Sequence, residues 1–223
     1  MQMTVSQLLQ TAFAMADANY PSLADQWTAA SHRVESAMNG TMVFKKVQEM
    51  GRIDALSRAL GDEERERLAR SKPDFPNNNL AVLSAAFIGG IYAVVRALRD
   101  REQRKVQANI VTVFPATDLN LLLHDLELVR VPLEKFELQQ ERKLPAPLQM
   151  FAVPYVDGVN DVSTYDRTDP NRASLILPTG VSTVTGSYGW FTSDWQHEGA
   201  KWLYRRDLAD TFLRLALTKP SVK

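Results

Sequence analysis

Apolar residues recur at helical spacing through the first hundred positions and in shorter alternating runs after that. Val5, Leu8, Leu9, Ala12, Phe13 and Ala16 form one stripe of a 3.6-residue repeat. Thr4 followed by Gln7 predicts a capping box at the start of this helix, and Pro21 ends it. Ser22 then opens a second helix carrying Leu23, Trp27, Ala30, Val34 and Met38, stopped by Asn39-Gly40, which tolerate the left-handed conformation of a helix end. A third helix is expected from Thr41 to about Leu60, interrupted near Gly51, with a short charged helix capped by Asp62 after it. The stretch 72–79, rich in Pro and Asn, reads as a loop.

Leu80 to Val95 carries no charge and is the most apolar stretch of the chain. Its sixteen residues fall between the lengths of a core helix and of a membrane span. A central buried helix over 80–98 is the preferred reading, because basic residues flank the run on both sides and a Gly pair interrupts it.

From Val106 the period shortens to two: Val106, Ala108, Ile110, Thr112 and Phe114 alternate with Gln107 and Asn109. The segments 126–132, 134–139, 147–156, 174–177 and 181–185 are read as further strands, with a turn at Asp157-Gly158 and an aromatic loop over 186–191. Ser193 or Asp194 is expected to cap a last helix containing Trp202, Leu203, Leu208, Phe212, Leu213 and Leu217. The fold class that follows is α+β. A helical N-terminal half (about 1–105) packs on a mostly antiparallel sheet (about 106–191), with a C-terminal helix. Residues 1–71 form a helical subdomain and 80–223 an α+β body, within one compact domain overall.

Composition narrows the chemistry. There is no cysteine, which excludes disulfides, thiolate nucleophiles and cysteine-bound metals. Lys plus Arg and Asp plus Glu number 26 each, so no global field draws in nucleic acid or an anionic membrane. The three histidines, His32, His124 and His197, show no short metal-binding spacing, and a site built from them requires convergence of distant segments. The first residues lack the basic start and apolar core of a signal peptide, so cytoplasmic synthesis is expected.

Three weak constellations remain. Asp125 with Glu141-x-Lys143, and Glu102 on the preceding helix, resembles in form the carboxylate-plus-lysine sets that hold a divalent cation in nucleases. Chance and a solvated turn explain it better. Asp157, Asn160, Asp161, Asp166 and Asp169 supply oxygen for a hard cation, but lack EF-hand spacing and suit ordinary turns. Arg99, Arg101, Arg104, Lys105, Arg205 and Arg206 offer phosphate contacts near Trp202 and Tyr204, opposed by Asp207 and Asp210 on the same helix. No Walker loop, dinucleotide fingerprint, HExxH or GxSxG motif is present.

The reading these signals favour is a non-enzymatic structural or interaction subunit of a homo-oligomeric assembly, such as a virion, phage or secretion particle, without a cofactor. Its expected contacts are the exposed ends of the first two helices and the aromatic residues Tyr188, Trp190 and Phe191. The alternatives are a metal-dependent phosphodiesterase using Asp125, Glu141 and Lys143, and a single-pass membrane component anchored by residues 80–95.

Overall fold

Local signals at the helix ends decide the first half of the molecule. The structure is a computed structural model and describes residues 3–70, 78–144, 148–150, 164–171, 176–197 and 199–218. Thr4 and Gln7 form the expected capping box: the Gln7 amide donates to Thr4 Oγ1 and the Thr4 amide to Gln7 Oε1. They start α1, Val5–Asn19, and Pro21 starts α2, Pro21–Met38. Asn39 closes α2 in the left-handed conformation at φ 51°.

Helix α3, Thr41–Ala69, runs without a break. Gly51 does not interrupt it; a Cβ there would stand 2.6 Å from Trp27 Cγ, so the glycine lets the indole of α2 lie against α3. Asp62 does not cap a separate helix, because the charged tail is the end of α3. One of its carboxylates, Glu64, is buried against Arg67, although the composition of that tail suggests solvent on every side.

Helix α4, Asn78–Gln107, is long and apolar enough to cross a membrane by length and composition. In this fold it is the central helix. Phe87, Ile88, Ile91, Val94, Val95 and Leu98 are buried, and it packs on α3 and α5 and touches α2 and α6. Gly90 admits the side chain of Met50 from α3, whose Sδ lies 2.2 Å from where a Cβ would be.

Beyond position 106 the alternating pattern does not make a strand. Helix α4 continues to Gln107, a turn follows with Asn109 at φ 56°, and Val106, Ile110 and Val111 face solvent. The expected strand 126–132 lies within α5, Ala116–Lys135, and the expected strand 134–139 is the last two residues of that helix and the turn after it, with Phe136 closing α5 at φ 55°. Leu119, Leu122, Leu123, Leu126 and Val129 give α5 a complete buried stripe at helical spacing, and that burial outweighs the local β-preference. Pro132 is accommodated within the last turn.

The sheet component is small and late. Strands β1, Leu148–Gln149, and β2, Thr164–Tyr165, pair antiparallel over a minor core of Leu138, Leu148, Met150, Tyr165 and Ile176. Strands β3, Thr179–Val181, β4, Tyr188–Asp194, and β5, Gly199–Tyr204, form an antiparallel meander. Residues 188–191 are thus strand and not loop, while Trp202 and Leu203 precede the last helix, α6, Arg205–Leu217. The α+β class, the helical first half and the C-terminal helix are all present. One core cluster runs from Ala16 to Ala216. Of the stretch 72–79, expected as a loop, residues 72–77 lie outside the described residues and Asn78 and Asn79 open α4. At its centre Trp27 stacks on Phe212 at 5.5 Å and meets Phe87 edge-on at 6.1 Å.

Candidate functional site

Two of the three histidines converge. The buried stripe of α5 leaves His124 at its edge, where the helix borders the β4–β5 hairpin, and its side chain keeps 18% of its surface exposed. Strand β4 ends at Asp194, which pairs with Gly199 across the hairpin. Asp194 Oδ1 accepts from the amides of Gln196 at 3.2 Å and His197 at 3.3 Å, which bends the turn and brings the His197 ring back over its own carboxylate.

Both imidazoles then meet one oxygen. His124 Nε2 lies 2.7 Å and His197 Nδ1 2.8 Å from Asp194 Oδ2. The rings stand edge to face with centroids 5.1 Å apart. Asp194 itself is buried, and burial raises its carboxyl, but the hydrogen bonds from His124 and His197 outweigh this and hold it below the ordinary carboxylate range. His197 is largely exposed, so the cluster opens into a groove of about 470 Å³ whose walls include Leu121, Asp125, Ala200 and Lys201. Lys201 Nζ donates to Asp125 Oδ1 at 2.5 Å across that groove. His32 lies elsewhere, beside Phe44 and Glu35.

The residues of the alternative nuclease set are not brought together. Asp125 is engaged by Lys201, while Glu141, in a short 3₁₀ turn with Lys143, accepts from Tyr165 Oη. Glu141 and Lys143 line a different groove, with Tyr92 and Glu127. Glu102 is fully buried and structural: it accepts from the amides of Val113 at 2.6 Å and Phe114 at 3.3 Å and pairs with Lys105. Asp166 and Asp169 accept from the backbone of Thr168 and Asn171, the turn bonding such residues favour. Asp157, Asn160 and Asp161 lie outside the described residues.

The basic set is scattered in the same way. Arg99 pairs with Asp100, Arg101 donates to Met38 O, Arg104 to Asp100 O, and Lys105 to Glu102. Arg205 is fully buried and cannot reach a phosphate outside the chain. It pairs with Asp54 on α3, which also accepts from Trp27 Nε1 at 2.9 Å and Arg58 Nε at 3.1 Å. The aromatic contact set fares no better: Trp190 and Phe191 are buried in β4, and Tyr188, half-buried, packs edge-on against Trp190. Trp190 and Tyr188 pack on the helical core, and Phe191 packs against Trp202.

Exposed apolar side chains concentrate instead on α1, where Val5, Leu8, Leu9 and Met15 are 52–74% exposed. No protein-family model, curated protein or solved structure matches the chain.

Proposed function

We propose that the chain is a non-enzymatic interaction subunit that self-associates, copy to copy, through the first two turns of α1. One observation carries this reading. Val5, Leu8 and Leu9 are 74%, 52% and 52% exposed, yet they continue the stripe that further along, at Ala12, Phe13 and Ala16, packs into the core. The capping box keeps those exposed turns helical.

The occupant that suits this face is the same face of a second copy. In a two-fold interface a patch meets itself, so any net charge on it would be opposed by its own image. Residues 1–16 contain no Asp, Glu, Lys or Arg. An uncharged apolar stripe pairs with itself at no electrostatic cost and removes its apolar area from water.

Mass by sedimentation equilibrium tests this directly. The wild-type chain is expected to associate, and Leu8→Glu/Leu9→Glu to be monomeric with an unchanged circular dichroism spectrum. A wild type that stays monomeric at high concentration, or a double variant that associates as before, removes α1 from the role.

A further inference from the structure

We infer that His124, Asp194 and His197 form a binding site for a divalent first-row transition ion of the Zn²⁺ class. The inference is independent of self-association, because α1 contributes nothing to this site.

The ligating atoms come from two separate parts of the fold, α5 and the β4–β5 hairpin, and lie within 4.8 Å of one another. The donor set is two imidazole nitrogens and one carboxylate oxygen. Imidazole suits Zn²⁺ and its neighbours, whereas Mg²⁺ and Ca²⁺ want oxygen alone. Ion-to-ligand distances of about 2.0–2.2 Å put tetrahedral ligand atoms roughly 3.3–3.5 Å apart. The two nitrogens stand 2.7 and 2.8 Å from Asp194 Oδ2 in a set that spans up to 4.8 Å, so to admit an ion the imidazoles must draw back from the carboxylate by about 0.5–0.8 Å and close on each other. For His197, in a hairpin turn and 69% exposed, that movement meets little resistance. Each ring must turn a lone pair to the ion, which leaves any ring proton on its other nitrogen.

Two features distinguish the cluster from a chance pairing of surface groups. The second oxygen of Asp194 is held by the amides of Gln196 and His197, which orient the carboxylate as the outer hydrogen bonds of metal sites do. Three protein ligands also leave a position open, and here the open side faces the groove between Leu121 and Ala200, with Lys201 on its wall. An ion there keeps a water or takes an anionic ligand from the groove.

The test is titration of the chelator-treated full chain with Zn²⁺ by calorimetry, and with Co²⁺ by visible absorption. One ion per chain is expected for wild type, with affinity reduced at least about tenfold in His197→Ala and Asp194→Asn. His32→Ala serves as the control and must bind as wild type does. His197→Ala removes an exposed side chain, and an unchanged circular dichroism spectrum shows that the loss is local. Wild-type binding no tighter than that of His197→Ala overturns the assignment. So does displacement of Zn²⁺ by equimolar Mg²⁺, or equal weakening by His32→Ala.

Discussion

Two polar clusters in this molecule share a plan and differ in their surroundings. In each, one carboxylate is held between two cationic or potentially cationic side chains from different elements. Asp54 sits between Arg58 and Arg205 with no exposed surface, and the indole of Trp27 completes its shell. Asp194 sits between His124 and His197 beside an open groove. Arginine stays charged at any accessible pH and forms forked hydrogen bonds, which suits a permanent buried tie. Histidine can lose its charge and offer a lone pair, which suits an exchangeable one. The first cluster joins α2, α3 and α6; the second leaves a ligand-sized opening.

The buried tie is where substitution is expected to cost most. Asp54→Ala strands Arg205, fully enclosed and lying over the Phe87 ring at 5.5 Å, without its counter-charge. Breaking a buried pair by removing one partner costs about 3–5 kcal/mol, because the remaining charge has no water to turn to. Urea unfolding of Asp54→Ala should show that loss. Asp54→Leu/Arg205→Met removes both charges and leaves Arg58 with Asp210, its other partner at 2.5 Å, so it should lose far less than Asp54→Ala. If the double variant is as unstable as the single, the charges matter less than the packing, and Asp54 is not a charge-dependent tie.

Acid sharpens the same comparison at smaller scale. Burial raises the Asp54 carboxyl, but Arg205 and Arg58 overcome it and hold the group below its ordinary value. A depressed folded-state pKa gives stability that is fully present above the unfolded value, about 3.9, and is lost as pH falls through the folded one. The melting temperature of wild type should therefore fall below about pH 4. In Asp54→Leu/Arg205→Met that acid limb should be shallower. Equal slopes would mean that other carboxylates govern acid unfolding.

Neither cluster was legible in the sequence as a unit, and the reasons are physical. Helices announce themselves locally: Thr4 with Gln7, Asn39-Gly40 and the stripe of α2 depend on neighbours a few residues away, and the structure holds each of them. The α5 stripe was equally local, but Leu128 and Val131 interleave with it and Pro132 suggests a break, so its run of leucines passes for alternation. Partners across the fold leave no such trace. Arg58 reaches Asp210 and His124 reaches Asp194 over 152 and 70 positions of chain. Asp194 is a partial exception. A carboxylate that accepts amides two and three residues on looks the same whether it starts a helix or turns a hairpin, and the expected cap was the hairpin turn. Arg205, expected in solvent, is the clearest reversal, since only packing across the fold, against Asp54 of α3 and Phe87 of α4, encloses it.

The smallest expected effect bears most on what the histidine cluster is for. His197 is 69% exposed, and an exposed side chain of this kind contributes within roughly 0.5 kcal/mol of nothing. In the metal-free chain His197→Ala should therefore leave the urea midpoint nearly where it was. Adding Zn²⁺ separates the two proteins. An ion that binds only the folded chain stabilises it by mass action, by about 2.7 kcal/mol when its concentration is a hundred times the dissociation constant. Wild type should gain that increment and His197→Ala should forfeit about half of it or more, since a tenfold weaker affinity leaves about 1.4 kcal/mol. A cluster that does little for the empty fold but responds to an ion is arranged for the ion. Should His197→Ala instead destabilise the metal-free chain by several kcal/mol, the imidazoles are structural ties like the arginines around Asp54, and the two clusters differ only in their exposure to water.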